Sequence, residues 1–132
     1  MNRIKTILAA ILLLALPLVN GHGDEPRKVP ELMQRKLTAS QKILEGVAIG
    51  DYKLIARHAD ELIQISKEAE WKVIKTAQYE VHSSDFRRTA EELIKNAKDK
   101  NLDAAALTYV DLTLGCVKCH KYVREVRMAS RD

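Results

Sequence analysis

A chain of 132 residues has room for one small domain, which excludes a multidomain enzyme. Its formal charge of +4 is half accounted for by Arg3 and Lys5 at the extreme N-terminus, so the remainder is close to neutral. With one Trp, one Phe and no basic stripe standing clear of acids, the sequence gives no footprint for nucleic acid, and none is expected as a partner.

In chain order, Arg3 and Lys5 precede an apolar run from Ile7 to Val19, too short for a comfortable membrane span. The run reads as an export signal covering 1–21, with small residues at Gly21 and Gly23 for cleavage, and residues 22–29 read as a flexible leader. The remaining 30–132 are expected to form the domain, periplasmic and without a stable membrane span once the signal is removed.

Pro30 suits the first turn of a helix over about 30–49, with apolar residues at Leu32/Met33, Leu37, Ile43/Leu44 and Val47. Gly50 is a natural stop and Asp51 a cap for a second helix, which carries Ile55, Ala59, Leu62 and Ala69 inward and extends to about Trp71. A long connection holding His82 follows. Ser84 and Asp85 then open a third helix with the stripe Phe86, Ala90, Leu93/Ile94, Ala97 and lysines near its end. A fourth, over about 103–128, turns Ala105, Tyr109, Leu112, Thr113, Cys116, Cys119, His120 and Val123 to one side. The short first and last connections predict an all-α, antiparallel up-down-up-down four-helix bundle. The remaining Lys, Glu and Arg side chains read as a solvated exterior.

The chemistry is concentrated in Cys116-Val117-Lys118-Cys119-His120, which holds both cysteines of the chain and places a histidine directly after the second. CxxCH is the attachment signal of a c-type haem. Residues three and four apart share a helix face, so two thioethers and one axial Fe–N bond can come from little more than one turn. A thioredoxin-like dithiol would want a βαβ setting, which the pattern lacks. A structural zinc site needs four ligands, and the motif supplies three. Export agrees with haem attachment, which in bacteria takes place outside the cytoplasm. One haem c in the bundle core, attached through Cys116 and Cys119 with His120 on iron, is therefore the expected cofactor, and the haem-free chain is expected to be loosely folded.

An exported chain of this length, with four helices and a single CxxCH in the last, resembles the cytochrome c′ family, the class II c-type group, over the whole mature chain. The resemblance implies thioethers at Cys116 and Cys119 and a proximal ligand at His120. Family members commonly carry an Arg four residues after the haem histidine, where Arg124 stands here, although Tyr122 and Val123 displace the aromatic that often precedes it. Low-spin relatives take a methionine from the first helix as sixth ligand, and Met33 is the residue so placed; in pentacoordinate relatives an apolar side chain covers the distal face. Two functions follow: a monohaem electron carrier with Met33 and His120 on iron and an unidentified redox partner protein, or a pentacoordinate protein binding nitric oxide or carbon monoxide. Neither is an enzyme. A haem-free interaction module with an oxidised Cys116–Cys119 pair is the third reading. The resemblance also implies a homodimer as one assembly. His22, His58 and His82 are read as surface histidines, Met128 as too close to the proximal ligand along the last helix to reach the far face, and Trp71 and Tyr79 as core packing ahead of cover for the haem edge.

Overall fold

The computed structural model describes residues 25–68, 71 and 74–130, with side chains from Lys28 onward; the export segment, His22 and Ala69 lie outside the described residues. Among these the chain is all-helical: α1 Glu25–Ile49, α2 Tyr52–Ile65, α3 Ala77–Lys98 and α4 Leu102–Ala129. Successive helices pack against one another, whereas α1 and α4 meet only sparingly.

The turns between helices are written in local chemistry. Gly50 adopts φ 72°, a left-handed conformation that costs glycine nothing. It allows the Asp51 N–H to reach the Gly46 carbonyl at 2.8 Å and the Gly50 N–H to reach that of Val47, the paired bonds of a Schellman stop. The Asp51 carboxylate then accepts from the Leu54 N–H at 3.0 Å and starts α2. The same device recurs at the end of α3. There Lys100 takes φ 54°, and Asn101 both donates to the Asn96 carbonyl and caps α4 through the Ala104 N–H.

Three boundaries differ from the sequence reading. Helix α1 begins at Glu25, so 25–29 are helical rather than leader, and Pro30 sits inside the helix at the loss of one ladder hydrogen bond. Helix α2 stops at Ile65, not near Trp71, because Ser66 takes the cap position and its hydroxyl donates back to the Ile63 carbonyl. Helix α3 begins at Ala77, about two turns before Ser84, with Thr76 as its cap. Tertiary anchoring overrides the local cap signal here. Tyr79 is buried and its hydroxyl donates to the Trp71 carbonyl, while the Trp71 indole N–H donates to the Ser83 hydroxyl at 2.9 Å.

Leu32, Ala39, Ile43, Ile55, Leu62, Ile65, Leu93 and Leu112 form the centre of the core. The buried seam of α1 runs through Leu32, Lys36, Ala39, Ile43 and Gly46, one position off the expected stripe. Leu37 and Leu44, expected inside, are 51% and 50% exposed. Gly46 lets α1 approach α2 closely, since a Cβ there would lie 2.9 Å from Ile55 Cγ1. Between α3 and α4 the Asn96 amide donates to the Thr108 hydroxyl at 3.0 Å, so this buried polar pair is satisfied.

Candidate functional site

The motif lies in the second half of α4, and that half is covered differently from the first. The buried residues of the helix are Ala105, Thr108 and Leu112; beyond Leu112 its inward side chains Cys116, Cys119, Tyr122 and Val123 are only partly covered, packed against the edge of the core. In front of them opens a cavity of about 520 Å³ between α1 and α4, floored by Leu62 and Phe86. That volume lies in the range of roughly 300–1,000 Å³ usual for small-molecule and cofactor sites.

Met33 and Leu37 from α1 share this cavity with Cys116 and His120 from α4. Helical spacing turns Cys116 and His120, four apart, to one side. Residues at either end of the sequence, Met33 and His120, therefore line one space. Cys119 sits alongside, half-buried against the core rather than on the cavity wall. Arg124 stands outside, in a surface groove with Lys121, Glu125 and Met128. It still acts on His120: partial burial, then the Lys36 and Arg124 cations, hold that imidazole below its ordinary value.

No disulfide joins Cys116 and Cys119. Burial pushes the Cys119 thiol up, against the opposing pull of Lys36. Among the described residues no group of three or more His, Cys, Asp or Glu side chains converges on a point as a protein-built metal cage would need. A haem brings its own equatorial nitrogens and asks the chain only for thiols and axial ligands. The donor set here fits that group: Cys116 and His120 face an apolar cavity with the Met33 thioether on its α1 wall, and Cys119 lies alongside on the same helix.

Lys36 escaped the sequence reading, which placed the remaining lysines outside. It is 7% exposed, with Nζ 4.6 Å from the ring centre of Trp71 and 4.5 Å from that of Phe86. Its place on the 32–36–39–43 seam was legible from spacing, but a charged residue is by default read as outward. Among the histidines, His58 is largely covered and hydrogen-bonded to Glu61 at 2.8 Å, and His82 lies on α3, stacked near Tyr122, rather than in a connection. Neither lines the α1–α4 cavity. Trp71 and Tyr79 are core residues, as expected. Met128 lies on the surface, 60% exposed.

No family model matches the chain, and no curated protein and no solved structure matches it. Among the described residues no helix is long and apolar enough to cross a membrane.

Proposed function

We infer that the chain is a monohaem c-type cytochrome, exported to the periplasm and serving in electron transfer, with haem c attached through Cys116 and Cys119. The single observation that carries this reading is the cavity on which Met33, Cys116 and His120 converge. The pairing of the early part of α1 with the late part of α4 also supports an antiparallel, up-down-up-down order. In that order the cavity becomes the place where the cofactor completes the core.

Haem c would supply one-electron chemistry at iron. The chain's part would be to hold the ring through the two thiols, to offer His120 and Met33 as ligands to iron, and to keep water out with Leu62, Phe86 and Leu112. Arg124, whose charge is felt at His120 from the surface, would belong to the proximal rim. No substrate chemistry is asked of any residue, and the reading is not that of an enzyme.

The second reading, a pentacoordinate protein binding nitric oxide or carbon monoxide, is favoured by Leu37. It lines the cavity one turn after Met33 and remains half-exposed although apolar, so an aliphatic cover for the distal side is also at hand. Spin state separates the two. Met33 ligation gives a largely low-spin ferric spectrum in the wild type and slow carbon monoxide uptake. Met33→Leu, close in volume, then turns the iron high-spin and speeds that uptake. A wild type that is already high-spin, with a spectrum unmoved by Met33→Leu, hands the site to the gas-binding reading.

A further inference from the structure

We propose that Lys36 is a positive charge built into the α1 wall of the cavity to favour the reduced state of the redox group held there. The inference rests on the haem reading of the cavity and adds to it the residue that sets the direction of its potential.

The position is unusual in three respects. Lys36 is buried on the inward seam of α1 between Leu32 and Ala39, not at its margin, so it occupies a place where the pattern supplies apolar side chains. It forms no ion pair and no hydrogen bond with a side chain of any described residue; its ammonium instead lies over the faces of Trp71 and Phe86. It also borders the cavity shared by Cys116 and His120, where burial lowers the pKa of its ammonium and the two cysteines oppose that fall.

A buried lysine kept for stability would be expected to face a carboxylate, because an uncompensated ammonium in the interior is costly and an apolar side chain of similar size packs there at less cost. Aromatic faces soften that cost without cancelling the charge, since the ring quadrupole attracts a cation but carries no net charge of its own. The field of Lys36 therefore extends into the cavity. Taking up one electron lowers the charge of the bound group by one. A cation held nearby in a low-dielectric setting favours that change, and it does so more strongly than a solvated surface lysine could. Its place in the lining with Cys116 and His120 sets it on the space where the ring would be tethered, rather than at a remote rim.

The test is the midpoint potential of the haem-loaded protein, measured by optical redox titration for the wild type, Lys36→Leu and Lys36→Arg. Leu is chosen over Met because a second thioether in the cavity could bind iron. The expected result is a clear downward shift in Lys36→Leu, a potential near that of the wild type in Lys36→Arg, and an unchanged spin state in both. A haem-loaded Lys36→Leu protein whose potential equals the wild type overturns the proposal and leaves the haem reading intact. If Lys36→Leu does not take up haem, Lys36→Gln replaces it; failure of both neutral variants to load would make Lys36 a structural requirement and overturn the proposal. A wild-type chain that remains colourless on a haem-stained denaturing gel overturns the haem reading and the proposal together.

Discussion

The α2–α3 side of the molecule and the α1–α4 seam end in different states. On the first, Ile55, Ala59, Leu62, Ile65, Ala90 and Leu93 have no exposed surface, and α2 leaves no large apolar side chain outside. On the second, Leu37 stands half exposed on the wall of a cavity and a cation is buried beside it, and elsewhere α4 leaves Leu107, Val110, Leu114 and Val117 about half exposed or more. Packing density is thus divided along the molecule: one side is a finished core, and the other is a mould. A helix pair that met only to be stable would close the seam, with an aliphatic residue at 36.

The largest way to break this contrast is to remove the attachment chemistry. Cys116→Ala with Cys119→Ala should abolish covalent haem altogether, read as loss of colour on a haem-stained denaturing gel. Covalent colour persisting in the double variant would mean that the seam is not built around the motif.

Next in size is the finished side. Leu93→Ala should cost about 2–5 kcal/mol in urea unfolding, the range for emptying a fully packed aliphatic site. Leu114→Ser, on the exposed stripe of α4, should change haem-free stability by no more than about 0.5 kcal/mol. Comparable losses at both positions would erase the distinction between the two sides.

The smallest effect sharpens it. Gly115 lies inside α4 with nothing within 4 Å of where a Cβ would stand, so no packing requires a glycine there. Gly115→Ala should stabilise the haem-free chain by about 1 kcal/mol through helix propensity alone. Loss of that gain once haem is attached would show that the open side of Gly115 is used by the cofactor; an equal gain in both forms would confine the mould to the Cys116–His120 face.

How much of this was legible from sequence depends on whether a feature is local. Gly50-Asp51 and Asn101 are decided by backbone chemistry within a few residues, and the helix junctions they mark stand where the sequence puts them. The start of α3 is not local. Ser84-Asp85 is a sound cap signal, and it loses to contacts that tie Tyr79 and Ser83 to Trp71 across a connection whose length says nothing about where it is anchored. The α1 stripe was legible to within one position. That single step of about 100° moved Leu37 from the core to the cavity wall and brought Lys36 inside. The motif residues needed no periodicity, since their spacing is itself the chemistry. The nearness of Met33 to His120 required the helix order as well.

Trp71 is the sole tryptophan of the chain. Its ring lies 5.2 Å from that of Phe86, which floors the cavity, and under the Lys36 ammonium. The protein thereby carries one indole fluorophore, mounted behind the wall of its own cavity and shielded from solvent. Light emitted there is exposed to quenching by any strongly absorbing group that enters, and no other indole contributes background. The residue that fastens the connection between α2 and α3 also makes the filling of the mould visible from outside, without a label.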